Sequence, residues 1–210
     1  MKHAKGSTVY FGEGGKARIR ETARLAVKRA TEMGLDSLLV FTSDGDGALE
    51  AARMAENSNI RIIAVTFPTG QLFVDESSSF FTTRLSESER KRELEDNGIS
   101  VVQGTMPLQE IVCPGTHDER IEGITNTLSL LSPGLALCVQ AILMATDAGV
   151  IKQGQEVVSM SADTAIIGTG AWTHWLFHPQ YGLDIREIIC KPRSHLLPSG
   201  AEAEGSVKRS

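Results

Sequence analysis

Aromatic residues are scarce, at 5% of the 210, so any core must be built mainly from aliphatic side chains. Cysteine is scarce too: Cys113, Cys138 and Cys190 lie far apart, with no C-x-x-C pair among them. An odd count at such spacing argues against a disulfide framework and for buried, reduced thiols. No excess of positive charge is present. The formal net charge of −5 excludes a general affinity for nucleic acid or for an anionic membrane surface. It does not exclude a small anion, because a cradle of backbone amides acts locally. No run approaches the ~18 consecutive apolar residues of a membrane helix. The basic start Met1-Lys2-His3-Ala4-Lys5 is followed by no apolar stretch, so no secretory signal is expected and the cytoplasm is the expected location. A G-x-S-x-G nucleophile elbow is missing, as is any internal repeat.

What is present is an ordinary globular composition, 41% hydrophobic and 22% charged, long enough to bury one sizeable core. β-rich runs alternate with helical ones. Thr8–Phe11 reads as a strand, Ala17–Met33 as a helix stopped by Gly34, Ser37–Phe41 as a strand buried on both faces, residues 47–57 as a helix, and Arg61–Thr66 as a strand. This order implies parallel strands joined by right-handed crossovers. Pro68–Phe81 reads as an exposed excursion or a hairpin, Ser86–Asn97 as a solvated helix, and Ile99–Val102 as a strand. A helix over Glu119–Leu131 is broken by Pro133-Gly134. Leu135–Ala148 follows, apolar on almost every side, and so either central or in a subunit interface. Glu156–Met160, Thr164–Ile167 and Ile185–Cys190 supply late strands, and the polar residues 194–210 are expected to be a disordered tail after a domain spanning 1–193. The expected fold is a single three-layer α/β domain with a mostly parallel sheet.

Ligands of open parallel sheets bind at the carboxyl ends of strands, which directs attention to the turn Thr42-Ser43-Asp44-Gly45-Asp46-Gly47. Glycines permit close backbone approach, hydroxyls donate, and a helix start adds positive potential, so a phosphate fits. The alternative is a capped turn with Asp44 or Asp46 as N-cap and no ligand. Thr66, Thr69 and Gly70, closing the next strand, would lie alongside as further donors or form an ordinary Pro-Gly turn. Gly12-Glu13-Gly14-Gly15-Lys16-Ala17 formally matches G-x-G-x-x-A, but the acid ending the second strand, Asp44, lies 32 positions after Gly12 rather than about 20, which argues against a nicotinamide fold. Gly168-Thr169-Gly170 is a possible backbone nest. His174 and His178, four apart, read as packing residues or as half of a metal site. His117-Asp118 reads as a helix cap or a dyad.

Several blocks together resemble the pyruvate kinase C-terminal domain. Leu38–Ala48 followed by Ile60–Thr66 matches its strand, hydroxyl-rich loop, helix and strand ending in Ala-Val-Thr. The match is closer to stand-alone proteins of the pyruvate kinase C-terminal-like family, through Val9–Phe11, Glu21–Ala26, Met144–Gly149, Ala162-Asp163-Thr164-Ala165 and Glu187–Arg193. In pyruvate kinases the loop holds a phosphate of an allosteric sugar bisphosphate, and some stand-alone members bind FMN. The resemblance therefore implies a phosphorylated small molecule, FMN among the candidates, at loops 42–47 and 66–70 with Asp163 and Thr164 close by. It implies no reaction, and the 210 residues have no room for the catalytic barrel of a pyruvate kinase. Two departures stand out: Gly47 replaces the family's threonine, and Ser159-Met160-Ser161 runs directly into Ala162 without a Gly/Arg-rich stretch. Beside the binding protein, two other readings stand. One is an enzyme on a phosphorylated metabolite, with Asp44, Asp46 or His174 as acid–base groups. The other is a homo-oligomer-forming module whose interface is the 135–148 helix and Trp172–Phe177.

Overall fold

The computed structural model describes residues 6–74, 80–109 and 118–195. Cys113, His117 and the tail from residue 196 lie outside them. Strands β1 (Val9–Phe11), β2 (Ser37–Phe41), β3 (Arg61–Thr66), β6 (Ser100–Gln103), β7 (Glu156–Met160), β8 (Ala165–Thr169) and β9 (Ile185–Pro192) form one sheet in the order β1-β9-β8-β7-β2-β3-β6. β8 is antiparallel to both neighbours and the remaining pairs are parallel. Phe73–Val74 (β4) and Phe80–Phe81 (β5) pair as a separate antiparallel ribbon, so the excursion after β3 contains a hairpin.

Helices α1 (Ile19–Met33), α2 (Asp46–Ala55) and α3 (Ser88–Asp96) lie on one face, and α5 (Pro133–Asp147) on the other with α4 (Glu119–Leu131) outside it. The single three-layer α/β domain is as expected. Strand β2 shows why the pattern is uniformly apolar: Leu38 and Val40 point into the α1–α2 cluster, Leu39 and Phe41 into the α5 cluster, and all four are buried. In α1 the stripe Ala23, Ala26, Val27, Ala30 faces the sheet, and Gly34 at φ 66° ends the helix while the Leu35 amide returns to the Ala30 carbonyl at 2.9 Å.

The strand order itself is not written in the sequence. Strand β1 lies four places from β2, at the edge and paired with β9, so the first crossover spans β9, β8 and β7. The helix over Glu119–Leu131 does end before Pro133-Gly134 as expected, but the next helix starts at Pro133 rather than Leu135: the proline opens α5, whose N-cap Ser132 accepts the Gly134 amide at 3.3 Å. Proline suits a first helical position because its missing N–H had no intrahelical partner there. Finally, α5 is apolar all round because this chain covers it all round: its inner side packs on the sheet, and Val139 and Leu143 meet Leu108, Ala171, Leu128 and Leu176 outside. Of the two expected placements, the central one is seen.

Candidate functional site

The chain order fixes where a crevice must open. From β2 the chain moves to β3 and then β6 in one direction, whereas β7 lies on the opposite side of β2 and continues to β8 and β9. Connections leaving β2 and β7 therefore diverge, and open α/β sheets bind ligands at such a switch point. A cavity of about 380 Å³ opens at that place. Its floor is Val40, Phe41 and Met160 at the ends of the two strands, with Ile19 of α1 and Leu137 of α5 as side walls. Phe67 and Phe73 form a third wall: Phe41, Phe67 and Phe73 run edge to face, with centroids 5.0 and 4.9 Å apart. The polar rim is Lys16, Thr42, Ser43, Asp44, Thr83 and Ser161.

The loop 42–47 is held by its own side chains and by two cations. The Thr42 hydroxyl accepts the Gly45 amide at 2.9 Å, and an Asp44 carboxylate oxygen accepts the Asp46 amide at 3.0 Å. Asp44 thus does the work of a cap, although Gly45, at φ 84°, occupies the N-cap position itself. A Cβ on Gly45 would meet Arg90 Nε and Leu94 at 3.2 Å, so this glycine faces α3 rather than the cavity. The amides of Gly47 and Ala48 have no acceptor among the described residues. Lys16, from the turn after β1, bonds the Asp44 carboxylate and lies 3.8 Å from that of Asp46. Arg90 is buried at 8% exposure. Its Nε donates to the Asp44 carbonyl at 2.6 Å, while its two Nη atoms pair with Asp46 and Glu93.

Burial pushes the Asp44 carboxyl up, but the Lys16 hydrogen bond, the Asp46 amide and the Thr42 hydroxyl together outweigh it and hold the group below its ordinary value. Its bond to Asp44 in turn raises Lys16. The Asp44 side of this pairing is present above the ordinary carboxylate range and is lost as pH falls through the depressed folded value. Lys16→Met should therefore raise the Asp44 value, because burial then acts with less opposition. Titration of the Asp44 carboxyl carbon by NMR reads this directly, and an unmoved or lowered midpoint would contradict the pairing.

The other expected residues are distributed as follows. Thr42, Ser43, Asp44 and Gly47 line the cavity; Gly45 and Asp46 belong to the loop but face α3 and its arginine. Thr66 is fully buried, and its hydroxyl has no partner among the described residues. Thr69 and Gly70 are exposed outside the lining, and the Gly70 amide donates to Ser86 at 3.1 Å. Asp163 accepts the Gly15 amide at 2.6 Å and the Thr164 hydroxyl at 2.9 Å, tying the β7–β8 turn to the Lys16 loop. Thr164 is buried against Ser132, 2.7 Å between hydroxyls. These two frame the cavity; its lining takes Ser161 and Ala162 instead.

The remaining motifs resolve into structure. The Thr169 and Gly170 amides donate to the Asp184 and Gln155 carbonyls, so that turn offers no free nest at those positions. Asp118 caps α4 through the Arg120 amide at 3.1 Å. Trp172–His178 is not an α-helix: only Thr173–Trp175 forms a 3₁₀ turn, after which Trp175, His178 and Tyr181 stack at 5.0–5.4 Å and His178 Nδ1 accepts the Gln180 and Tyr181 amides. No group of three metal-ligating side chains is found among the described residues. Cys138 and Cys190 are buried free thiols, both pushed up by burial, Cys190 to about 12. No helix among the described residues is long and apolar enough to cross a membrane.

Sequence reading missed both cations and the cavity walls. Arg90 sits within the run Ser88–Asp96, nearly all charged, where one buried arginine looks like its solvated neighbours. The available signal was spacing: Arg90 and Leu94 are four apart on one helical face, and both are buried. Lys16 followed a glycine pair after the first strand and was readable as a strand-end group.

Among solved structures, the chain is similar to a Cryptosporidium parvum pyruvate kinase, 17% identical, covering 74% of this chain and 23% of that one with a TM-score of 0.36. A C. parvum pyruvate kinase in complex with ADP is 16% identical, covering 82% of this chain and 23% of that one, TM-score 0.35. The chain thus spans about a quarter of the length of these enzymes. A family model described as the pyruvate kinase alpha/beta domain matches residues 20–169, from the start of α1 to the end of β8 and including both strands of the switch point. That span is well over half of the sequence, and the chain belongs to the pyruvate kinase alpha/beta domain family.

Proposed function

We propose that this domain binds a phosphorylated small molecule with a planar, largely apolar body, FMN being the first candidate, in the cavity between the ends of β2 and β7. The observation that carries the reading is the cavity itself: an apolar slot of about 380 Å³ at the switch point, with one solvent-accessible cation, Lys16, on its rim. The residues fit such a ligand. Phe67, Phe73 and Met160 offer flat apolar contact for a ring system. Asp44 and Ser161 suit hydroxyls, and the Ser161 hydroxyl is buried with no oxygen or nitrogen partner among the described residues. Lys16 and the Gly47 and Ala48 amides suit a phosphate. A bound flavin would supply redox chemistry; the chain's own residues would bind and orient it and exclude water.

The acid–base reading has less support. Asp44 is held ionised by Lys16, which suits a carboxylate that accepts hydrogen bonds more than one that delivers a proton near neutrality. His174 lies outside the cavity lining.

Thermal-shift and calorimetric titration with FMN, riboflavin and a sugar bisphosphate tests the proposal. FMN is expected to bind, riboflavin to bind at least tenfold more weakly for want of the phosphate, and Lys16→Glu to abolish that difference. Ser43→Trp, at an exposed rim position, should block the cavity without disturbing the fold. Equal binding of all three compounds, or FMN binding untouched by both variants, would refute the site.

A further inference from the structure

A second feature lies outside the cavity and shares none of its lining. Helix α4 and the segment Trp172–Ile185 form an apolar face with two grooves, of about 570 and 390 Å³, that meet along Ile124, Leu176 and Phe177. Phe177 stands between them as a wall of both and is 75% exposed. Trp172 and Tyr181, each 42% exposed, pack on Trp175 and His178 of the second groove, and Leu130 and Leu131, at 66% and 46%, continue the stripe Gly123–Thr127 along α4 at helical spacing. Five large apolar side chains of α4 and the 172–185 segment are thus exposed on an acidic chain. Taking about 150–250 Å² per ring, the three aromatic residues expose roughly 240–400 Å², which with the two leucines reaches the size of the largest apolar patch of a typical monomer.

We infer that this face is a two-fold interface with a second copy of the same chain, in which Phe177 of each copy enters a groove of the other. Two observations select a second copy over another partner. The first is shape: one face carries both a projecting ring and the slots to receive it, which is the self-complementarity that an isologous contact requires. The second is charge. The chain carries −5, so two copies repel unless they meet where charge is sparse. The groove linings contain one acid and one base, Glu119 and Arg120, adjacent at the start of α4, where Asp118 also bonds the Arg120 guanidinium, and the remaining lining is uncharged apart from His174 and His178. A partner of strong single-sign charge finds little counterpart here, whereas a two-fold copy can set each Arg120, 88% exposed beyond its bond to Asp118, near the other's Glu119. The rings, the two leucines and the groove walls extend the area toward the ~800 Å² per partner of a standard interface.

Sedimentation of the full chain from about 1 to about 100 µM tests the inference. The expected result is a reversible dimer, and Phe177→Glu should weaken it at least 30-fold, as loss of a central aromatic anchor does. Phe177 is mostly exposed within the chain, so the melting temperature of the monomer should not fall. Should it fall, Leu131→Glu on the same stripe carries the same test. A chain that stays monomeric throughout would mean that another partner or an apolar ligand covers the face, and the inference fails. It fails equally if a dimer survives both substitutions.

Discussion

Arg90→Met is expected to destabilise the fold by about 2–3 kcal/mol and to lower Tm by roughly 5–10 °C. The reason lies in what a single buried guanidinium holds. Its Nε is a charged donor to the Asp44 carbonyl, and its other nitrogens reach Asp46 and Glu93. Asp46 and Glu93 are about half exposed, so water can replace the arginine there, and those two pairs contribute little by themselves. The carbonyl is different: the loop packs on α3, and without Arg90 that acceptor is left in a desolvated place with no donor among the described residues. A hydrogen bond to a charged group contributes about 1.5–3 kcal/mol, which sets the expected size. Methionine fills most of the vacated volume, so the loss reports the polar contacts and not a cavity. Lysine at the same position should recover only part, since one ammonium cannot reproduce a three-way fork. Denaturant midpoints at unchanged slope would measure the difference. A Met variant within about 0.5 kcal/mol of the parent would mean that the loop does not depend on α3.

Much of this architecture was legible because the relevant signals are local. A continuous apolar strand such as Ser37–Phe41, a helix stripe ending at Gly34 and a hydroxyl-glycine turn between strand and helix are each written within a dozen residues. Strand order is not local. Nothing near Val9–Phe11 says that its partner is Cys190–Pro192, some 180 positions on, or that β7 would return to the free side of β2 and create the switch point. The cavity was therefore legible in half: the strand-end loop came from sequence, and the opposing wall of Met160, Ser161 and Ala162 came from topology. Charge followed the same division. Asp44 and Asp46 put two acids in a loop read for an anion, and their neutralising partners come from elsewhere, Lys16 28 residues before Asp44 and Arg90 44 residues after Asp46.

Gly134→Ala should cost about 2–3 kcal/mol even though alanine is the better helix former. Gly134 lies in the first turn of α5, where the propensity advantage, about 1 kcal/mol in a helix interior, has little chance to act. A Cβ there would overlap the Ser161 hydroxyl and reach to 2.5 Å from Thr164 Oγ1 and 2.8 Å from Thr164 Cβ. Thr164 cannot yield easily. It is 1% exposed, its hydroxyl bridges Ser132 at 2.7 Å and Asp163 at 2.9 Å, and its carbonyl accepts the Ser161 amide at 2.8 Å. Relief must come from backing α5 away from the β7–β8 turn, and Asp163 would carry the shift to Gly15 and so to Lys16 on the cavity rim. The variant should thus lose ligand affinity along with stability. Ser161→Ala alone should be close to neutral, because that hydroxyl has no oxygen or nitrogen partner among the described residues, and it removes the closest overlap. The double variant Gly134→Ala/Ser161→Ala should therefore recover part of the loss, a coupling that a thermodynamic cycle of the four proteins measures. Additive effects would show that α5 and the turn are not in the contact described, and a stable Gly134→Ala would show that the helix start has room the packing does not provide.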